Sequence, residues 1–323
     1  MTAYSDIATD LVKDHYINRD ELSQLLTSYE ERYPKLAKLF SIGRSHNGVD
    51  LWVMRITDNV NIEEPGEPKV KYVGNLHGNE PVGRQLLVYL IDYLLTNYGV
   101  TDSVTKLVDE TDIYILPALN PDGYAVATEG DCTGLTGRGN AHDVDLNRNF
   151  RDQFVEAKLM LLNNSDSAFV EDSQKHFPNG NNMAYEPETE AVMRWILQNK
   201  FVLSGNIHGG TIVASYPFDD SPSLIADNTY SASPDDAIFQ LLARTYADNH
   251  PSMHGGNVCS KHRFEETHGI TNGNKWFMVV GKCKRFAVKP ATNPPITYTG
   301  KYLSRLDEIQ YLNYSNILNP ASF

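Results

Sequence analysis

The sequence predicts an α/β fold built on a parallel sheet, and three observations carry that expectation. Short apolar strand segments alternate with longer segments of helical period. Their order of strand, helix, strand implies a parallel crossover. Two histidines, His77 and His208, stand just past strand segments, where open α/β sheets place their ligand sites.

Taken in order, Glu21 to Tyr33 reads as a surface helix, with Leu22, Leu25, Leu26 and Tyr29 at helical spacing after the candidate cap Asn18 and Pro34 ending the pattern. Leu51 to Ile56 reads as a strand. Glu63 to Pro68 is a loop before a second strand, Val70 to Gly74, which leads directly to His77 and Glu80. Val82 to Tyr98 is a long helix, and Ile113 to Leu116 a buried strand ending at the turn Asn120-Pro121-Asp122-Gly123. Glu188 to Gln198 is a helix, Phe201 to Ile207 a strand, and Asp235 to Asn249 a helix with Asp235 near its start. Lys158 to Asn182 and Lys284 to Pro295 lack periodicity and read as loops.

A length of 323 residues suits one large α/β domain, and 41% hydrophobic with 21% charged residues is ordinary globular composition. A net charge of -13 with no Lys/Arg stripe argues against nucleic acid and anionic membrane surfaces and favours a cationic substrate. The segment Met1 to Asp6 lacks the basic and apolar regions of a signal peptide, and no apolar run is long enough to span a bilayer. A soluble monomer is expected. Cys132, Cys259 and Cys283 are an odd set without CxxC spacing, so at least one thiol stays unpaired within the chain. Asn163 and Asn313 sit in Asn-x-Ser acceptor sequences.

The chemistry-bearing pattern is His77-Gly78-Asn79-Glu80, an imidazole and a carboxylate three positions apart, with His208-Gly209-Gly210 offering a third ligand. Three protein ligands leave zinc an open position, where a bound water is acidified or a carbonyl polarised. The spacing alone is a weak signal. His262-Arg263-Phe264-Glu265 repeats it, but follows no convincing strand and lacks the glycines that admit a substrate, so it is set aside.

The first match keeps company with Gly74 to Glu80, Asn120-Pro121-Asp122-Gly123-Tyr124, Gly137-Arg138-Gly139-Asn140-Ala141, Asp145-Leu146-Asn147-Arg148-Asn149-Phe150, Tyr216-Pro217-Phe218-Asp219 and Gly269-Ile270-Thr271-Asn272-Gly273. In that order the segments resemble the carboxypeptidase D, E and N group of the M14 zinc carboxypeptidases. The resemblance implies a mixed, mostly parallel eight-stranded sheet with helices on both faces. It implies zinc as the cofactor, with His77, Glu80 and His208 as ligands. It gives Arg138 the polarisation of the scissile carbonyl, and Asn147 and Arg148 the binding of the substrate. A guanidinium suits that task because it offers a carboxylate two parallel, charge-assisted hydrogen bonds. Asp219 matches the position that selects C-terminal Lys or Arg, with the adjacent Asp220 as the alternative. The implied partners are peptides ending in Lys or Arg, and the implied compartment is extracellular or the secretory pathway.

The resemblance is dense from about Tyr29 to Val280 and departs after Gly281, which divides the chain into a domain over 1–281 and a divergent tail over 282–323. The family continues with a strand that bears its general-base glutamate. Here Lys282-Cys283-Lys284-Arg285-Phe286 follows, and Asp307 and Glu308 are the only side-chain carboxylates beyond Gly281. Phe277 replaces the family tyrosine that closes over the substrate, and Lys284 falls at the glutamine of the specificity pocket. By the same resemblance Cys132 and Cys259 would pair with a Cys-Cys dipeptide that is missing, so those disulfides are expected not to form. The small transthyretin-like β-sandwich that follows the family's catalytic domain is expected to be absent. Two functional readings stand: a carboxypeptidase of basic specificity, and a zinc-containing domain that binds peptide C-termini without cleaving them efficiently. A deacylase of the same broad fold ranks below both.

Overall fold

The computed structural model describes residues 15–131, 135–150, 185–221, 228–256, 264 and 267–276. Chain entry is fixed by α1 (Arg19–Arg32), where the Asn18 side chain accepts from the N–H groups of Asp20 and Glu21 while Glu21 accepts from the Asn18 N–H. This capping box satisfies donors that the first helical turn leaves open. Leu22, Leu26 and Tyr29 form its buried stripe, and Leu25, expected on the same face, is half-buried against it.

The central sheet has the order β1 (Ala37–Arg44), β2 (Asp50–Ile56), β4 (Asp112–Leu116), β3 (Lys69–Gly74), β5 (Leu203–Ile207). β3 runs parallel to both β4 and β5, whereas β2 is antiparallel to β1 and β4. All five residues of β4 are buried, so both faces of the strand are covered. Side chains alternate across a strand, and the two faces feed two cores accordingly. Ile113 and Ile115 join Met54 and Ile56 beneath α2 (Pro81–Asn97), while Tyr114 and Leu116 join Val53 and Val73 beneath Trp195 of α5 (Pro187–Asn199). Helices therefore cover both faces. Between α2 and β4 the chain forms α3 (Asp102–Asp109), and after β4 it forms the short α4 (Pro121–Val126).

At the antiparallel seam Arg55 donates to both oxygens of the buried Asp112, Nε to Oδ1 at 2.7 Å and Nη2 to Oδ2 at 3.0 Å. That paired geometry makes a charge compatible with a buried strand. Further along, β6 (Ala214–Tyr216) and β7 (Ile270–Asn272) form a separate parallel pair beside α6 (Asp236–Asp248), and β7 runs straight into α7 (Gly273–Trp276).

The eight-stranded sheet that the resemblance implies is corrected on this point. Among the described residues seven strands divide into a sheet of five and a pair. The division follows from the ladders: β5 pairs with β3, β6 pairs with β7, and residues 208–213 connect β5 to β6 without a ladder between them. The α/β class and the mixed strand directions stand.

Cys132, Cys259 and Cys283 lie outside the described residues, as do Asn163, Asn313, Phe277, Lys284, the segments 158–182 and 284–295, and the whole stretch 282–323. His262, Arg263 and Glu265 of the second HxxE match lie there too. Among the described residues no helix is long and apolar enough to cross a membrane.

Candidate metal centre

Parallel pairing of β3 with β5 puts Gly74 opposite Ile207, so the residues that follow each strand emerge side by side at its carboxyl end. His77 comes from the turn after β3, Glu80 from the N-cap of α2, and His208 from the position immediately after β5. His77 and His208 are 1% and 0% exposed, and the candidate ligand atoms of the three side chains all lie within 4.8 Å of one another.

The contacts are closer than that limit. His77 Nδ1 is 2.9 Å from Glu80 Oε1, His208 Nδ1 is 3.0 Å from Glu80 Oε2, and the two Nδ1 atoms are 3.1 Å apart. Two imidazole nitrogens that face each other at such a distance hold at most one proton between them, so at least one lone pair points into the cluster. Ligands roughly 2.0–2.1 Å from a tetrahedral zinc stand roughly 3.3 Å from each other, and this triangle is close to that spacing. The donor set fits a zinc ion. Burial draws the His208 imidazole down to about 4 against the opposing pull of Glu80, which leaves the ring neutral at neutral pH. Burial also works on Glu80, pushing it up, yet the two histidines hold its carboxyl well below the usual range.

Asp145 sets the orientation of the His77 ring. Its Oδ1 accepts from His77 Nε2 at 3.0 Å, which leaves Nδ1 as the free nitrogen. Its Oδ2 accepts from Arg138 Nε at 3.1 Å and Nη2 at 2.9 Å, and Oδ1 also accepts from the Asn147 N–H at 2.9 Å. Burial raises the Asp145 carboxyl, but His77 and Arg138 outweigh it and keep the group ionised. Asp145 lies within a motif of the sequence that by itself assigns it no role. The signal available was its place two residues before the Asn147-Arg148 pair.

The remaining expected residues distribute as follows. Arg138 comes to the cluster, with Nη1 3.3 Å from His77 Nδ1 and 3.5 Å from Glu80 Oε1. Asn147 and Arg148 occupy a short 3-10 turn, Leu146–Arg148, that Asp145 caps. Asn147 is 7% exposed and its Oδ1 has no hydrogen-bond partner among the described residues. Asp219 and Asp220 are both buried just past β6. Asp219 lies against Gly273, where an added Cβ would overlap its carboxylate.

The sequence model of the zinc carboxypeptidase family matches residues 22–312. Carboxypeptidase D of Mus musculus is 42% identical over 269 residues, covering 83% of this chain and 18% of the relative. The catalytic chain of carboxypeptidase N from the same organism is 41% identical over 271 residues, covering 80% of this chain and 56% of the relative. The chain thus spans under a fifth of its carboxypeptidase D relative. Among solved structures, thrombin-activatable fibrinolysis inhibitor superposes with a TM-score of 0.61 at 18% identity, covering 99% of this chain and 73% of that one. Carboxypeptidase A from Helicoverpa armigera gives 0.60 at 21% identity, with 94% and 68% covered. These two likenesses concern the fold.

Proposed function

The chain belongs to the zinc carboxypeptidase family, and from that premise we propose that it acts on the C-termini of peptides, with preference for a terminal Lys or Arg. One observation supports the reading above the others: two imidazoles and a carboxylate converge within 3.1 Å while the Arg138 guanidinium stands beside them.

His77, Glu80 and His208 hold zinc, which when bound supplies Lewis acidity toward a carbonyl and an acidified water. The chain's own residues do the rest. Arg138 donates hydrogen bonds toward the oxygen on which negative charge develops, and Asp145 fixes both that guanidinium and the His77 ring. Asn147 and Arg148, on the turn that Asp145 caps, receive the free α-carboxylate of the substrate. Asp219 receives the cationic side chain, in keeping with the net charge of -13. The resemblance supports a location outside the cell or in the secretory pathway.

A second reading rests on the sequence after Gly281, where the family match continues to residue 312 but Asp307 and Glu308 are the only side-chain carboxylates that could serve as the general base. In that reading the domain binds peptide C-termini and hydrolyses them slowly, because loss of a positioned base typically costs roughly 10²–10⁴-fold.

Hydrolysis of matched peptides ending in Arg, Lys, Phe or Leu, with and without a chelator, separates the two. Family-level turnover on Arg and Lys termini that the chelator abolishes supports the enzyme. Chelator-insensitive binding of all four peptides with no cleavage would overturn both readings. Binding of the basic pair with less than about a hundredth of family-level turnover supports the second.

A further inference from the structure

Resting on the reading of Arg138 as the group that meets the developing oxyanion, we propose that Asn120 is a positioning residue that sets how far Arg138 reaches toward the metal ligands. Asn120 is 0% exposed and lies past the end of β4. Its carboxamide divides its bonds between two segments. Oδ1 accepts from the Gly123 N–H at 2.8 Å and caps α4, while Nδ2 donates to Gly139 O at 3.0 Å and to Arg138 O at 3.3 Å. The arginine's main chain is therefore held by a side chain whose hydrogen bonds, among the described residues, go to the backbone of residues 123, 138 and 139.

The frame continues to the metal loop through main-chain bonds. The Asn120 N–H donates to Asn75 O at 3.0 Å, and Asn75 Nδ2 donates to the carbonyls of His77, Gly78 and Glu80 at 2.9, 3.0 and 3.3 Å. Asn75 adopts φ 54, a left-handed conformation that asparagine tolerates better than most residues. Asn79 N–H then closes the circuit onto Gly137 O at 3.0 Å. Two neighbouring strand ends thus each carry a buried asparagine, one gripping the loop of His77 and Glu80, the other the loop of Arg138.

Close backbone packing leaves these loops little freedom to adjust. Gly78 lies so near Gly123, Tyr124 and Gly137 that a Cβ on it would overlap their main chain, and a Cβ on Gly137 would overlap Gly123 O. The loops meet backbone to backbone, and the carboxamide of Asn120 is what ties their contact to the position of Arg138. A guanidinium that stands 3.3 Å from one ligand atom and 3.5 Å from another is sensitive to a displacement of the order of 1 Å, which can cost about a hundredfold in rate.

Asn120→Asp keeps the acceptor for Gly123 and replaces the two Nδ2 donors with an oxygen facing two carbonyls. Asn120→Ser keeps a capping oxygen and removes the reach to residues 138 and 139. Each is compared with the parent chain for zinc content, for the Nε–H resonance of Arg138 in a ¹H–¹⁵N spectrum, assigned by its loss in Arg138→Lys, and for kcat and KM on an Arg-terminated peptide. The expected result is retained zinc, a shifted or broadened Arg138 resonance, and a kcat lower by roughly tenfold to a hundredfold with KM nearly unchanged. In an Arg138→Ala background the same substitutions should add little, because the group they position is gone. An unmoved Arg138 resonance, or a fully additive loss in that background, overturns the proposal. Collapse of both variants with loss of zinc also overturns it, since Asn120 is then a determinant of the fold as a whole. The resonance answers the question even where the parent chain turns over no peptide, so failure of the proposed function and failure of this inference are told apart.

Discussion

Asp145 Oδ1 accepts the Nε2–H of His77 at 3.0 Å, and this single bond decides which imidazole nitrogen faces Glu80 and His208 in the candidate metal centre. Partners of this kind orient a ligand ring, and their loss typically costs roughly 10–100-fold in metal affinity. Asp145→Asn retains the shape while removing the charge and permitting the amide to turn its NH₂ toward the ring. Competition of zinc against a calibrated chelator should show a weakening of that size, and an unchanged affinity would mean that Glu80 and packing alone orient His77.

Removal of His208 should have a larger effect on zinc than removal of Asp145. His208 supplies one of the three candidate ligand atoms of the group and is 0% exposed. In His208→Ala the zinc content of purified protein, measured by atomic emission, should fall well below one ion per chain. Full stoichiometry in that variant would exclude His208 from the centre.

Specificity should respond both to Asp219 and to the glycine beneath it. Asp219→Ala should abolish preference for peptides ending in Lys or Arg over those ending in Leu while leaving zinc bound. Gly273→Ala forces a methyl into the space of the Asp219 carboxylate, an overpacking that typically costs about 1–3 kcal/mol. Its expected signature is a lower melting temperature together with a loss of the same preference. Retained preference in Asp219→Ala assigns selection to another group, with Asp220 the nearest candidate.

Much of the framework was legible because strong period and strong burial coincide. The strand segments at Leu51, Val70 and Ile113 become β2, β3 and β4 with shifts of one residue, and Asn18 is the helix cap that the sequence suggests. β1 escapes such reading because its register shifts between Ser41 and Arg44 and its burial never alternates cleanly. β6 and β7 are three residues long, too short for any period to show, and α3 buries only Val104 and Val108. In the site, ligand identity was legible from residue type and spacing, whereas the bridging role of Asp145 depends on a bond across 68 positions of sequence. Arg84 is the plainest case of what pattern cannot tell. A charge within a helix reads as solvated, yet this one is 0% exposed, with its guanidinium 4.2 Å from the Tyr124 ring centroid and its Nε donating to Ile17 O.

The last prediction concerns stability and comes from a buried pair far from the metal. Tyr29 OH donates to Asp92 Oδ1 at 2.8 Å and joins α1 to α2 beneath the sheet. Burial raises the Asp92 carboxyl, and the Tyr29 hydroxyl opposes that rise by bonding to the charged form. A group whose folded pKa exceeds its unfolded one binds protons more tightly in the native state, so stability falls as pH climbs from the ordinary aspartate range through the raised value. Tyr29→Phe removes the opposing donor, leaves an ionised carboxylate buried without it, and should cost about 1–3 kcal/mol at neutral pH. The same change should cost less at acid pH, because a protonated Asp92 carries no charge to be stabilised and the lost hydroxyl then matters mainly as one neutral hydrogen bond. Thermal melts of parent and variant across the acid range provide the check. The two curves should draw together as pH falls toward the aspartate range and separate as it rises, with the variant always the less stable. A gap that stays constant across pH would show that the hydroxyl contributes through packing and not through the Asp92 charge. A gap that widens on acidification would reverse the sign and place the ionised carboxylate in a more favourable environment than this burial implies.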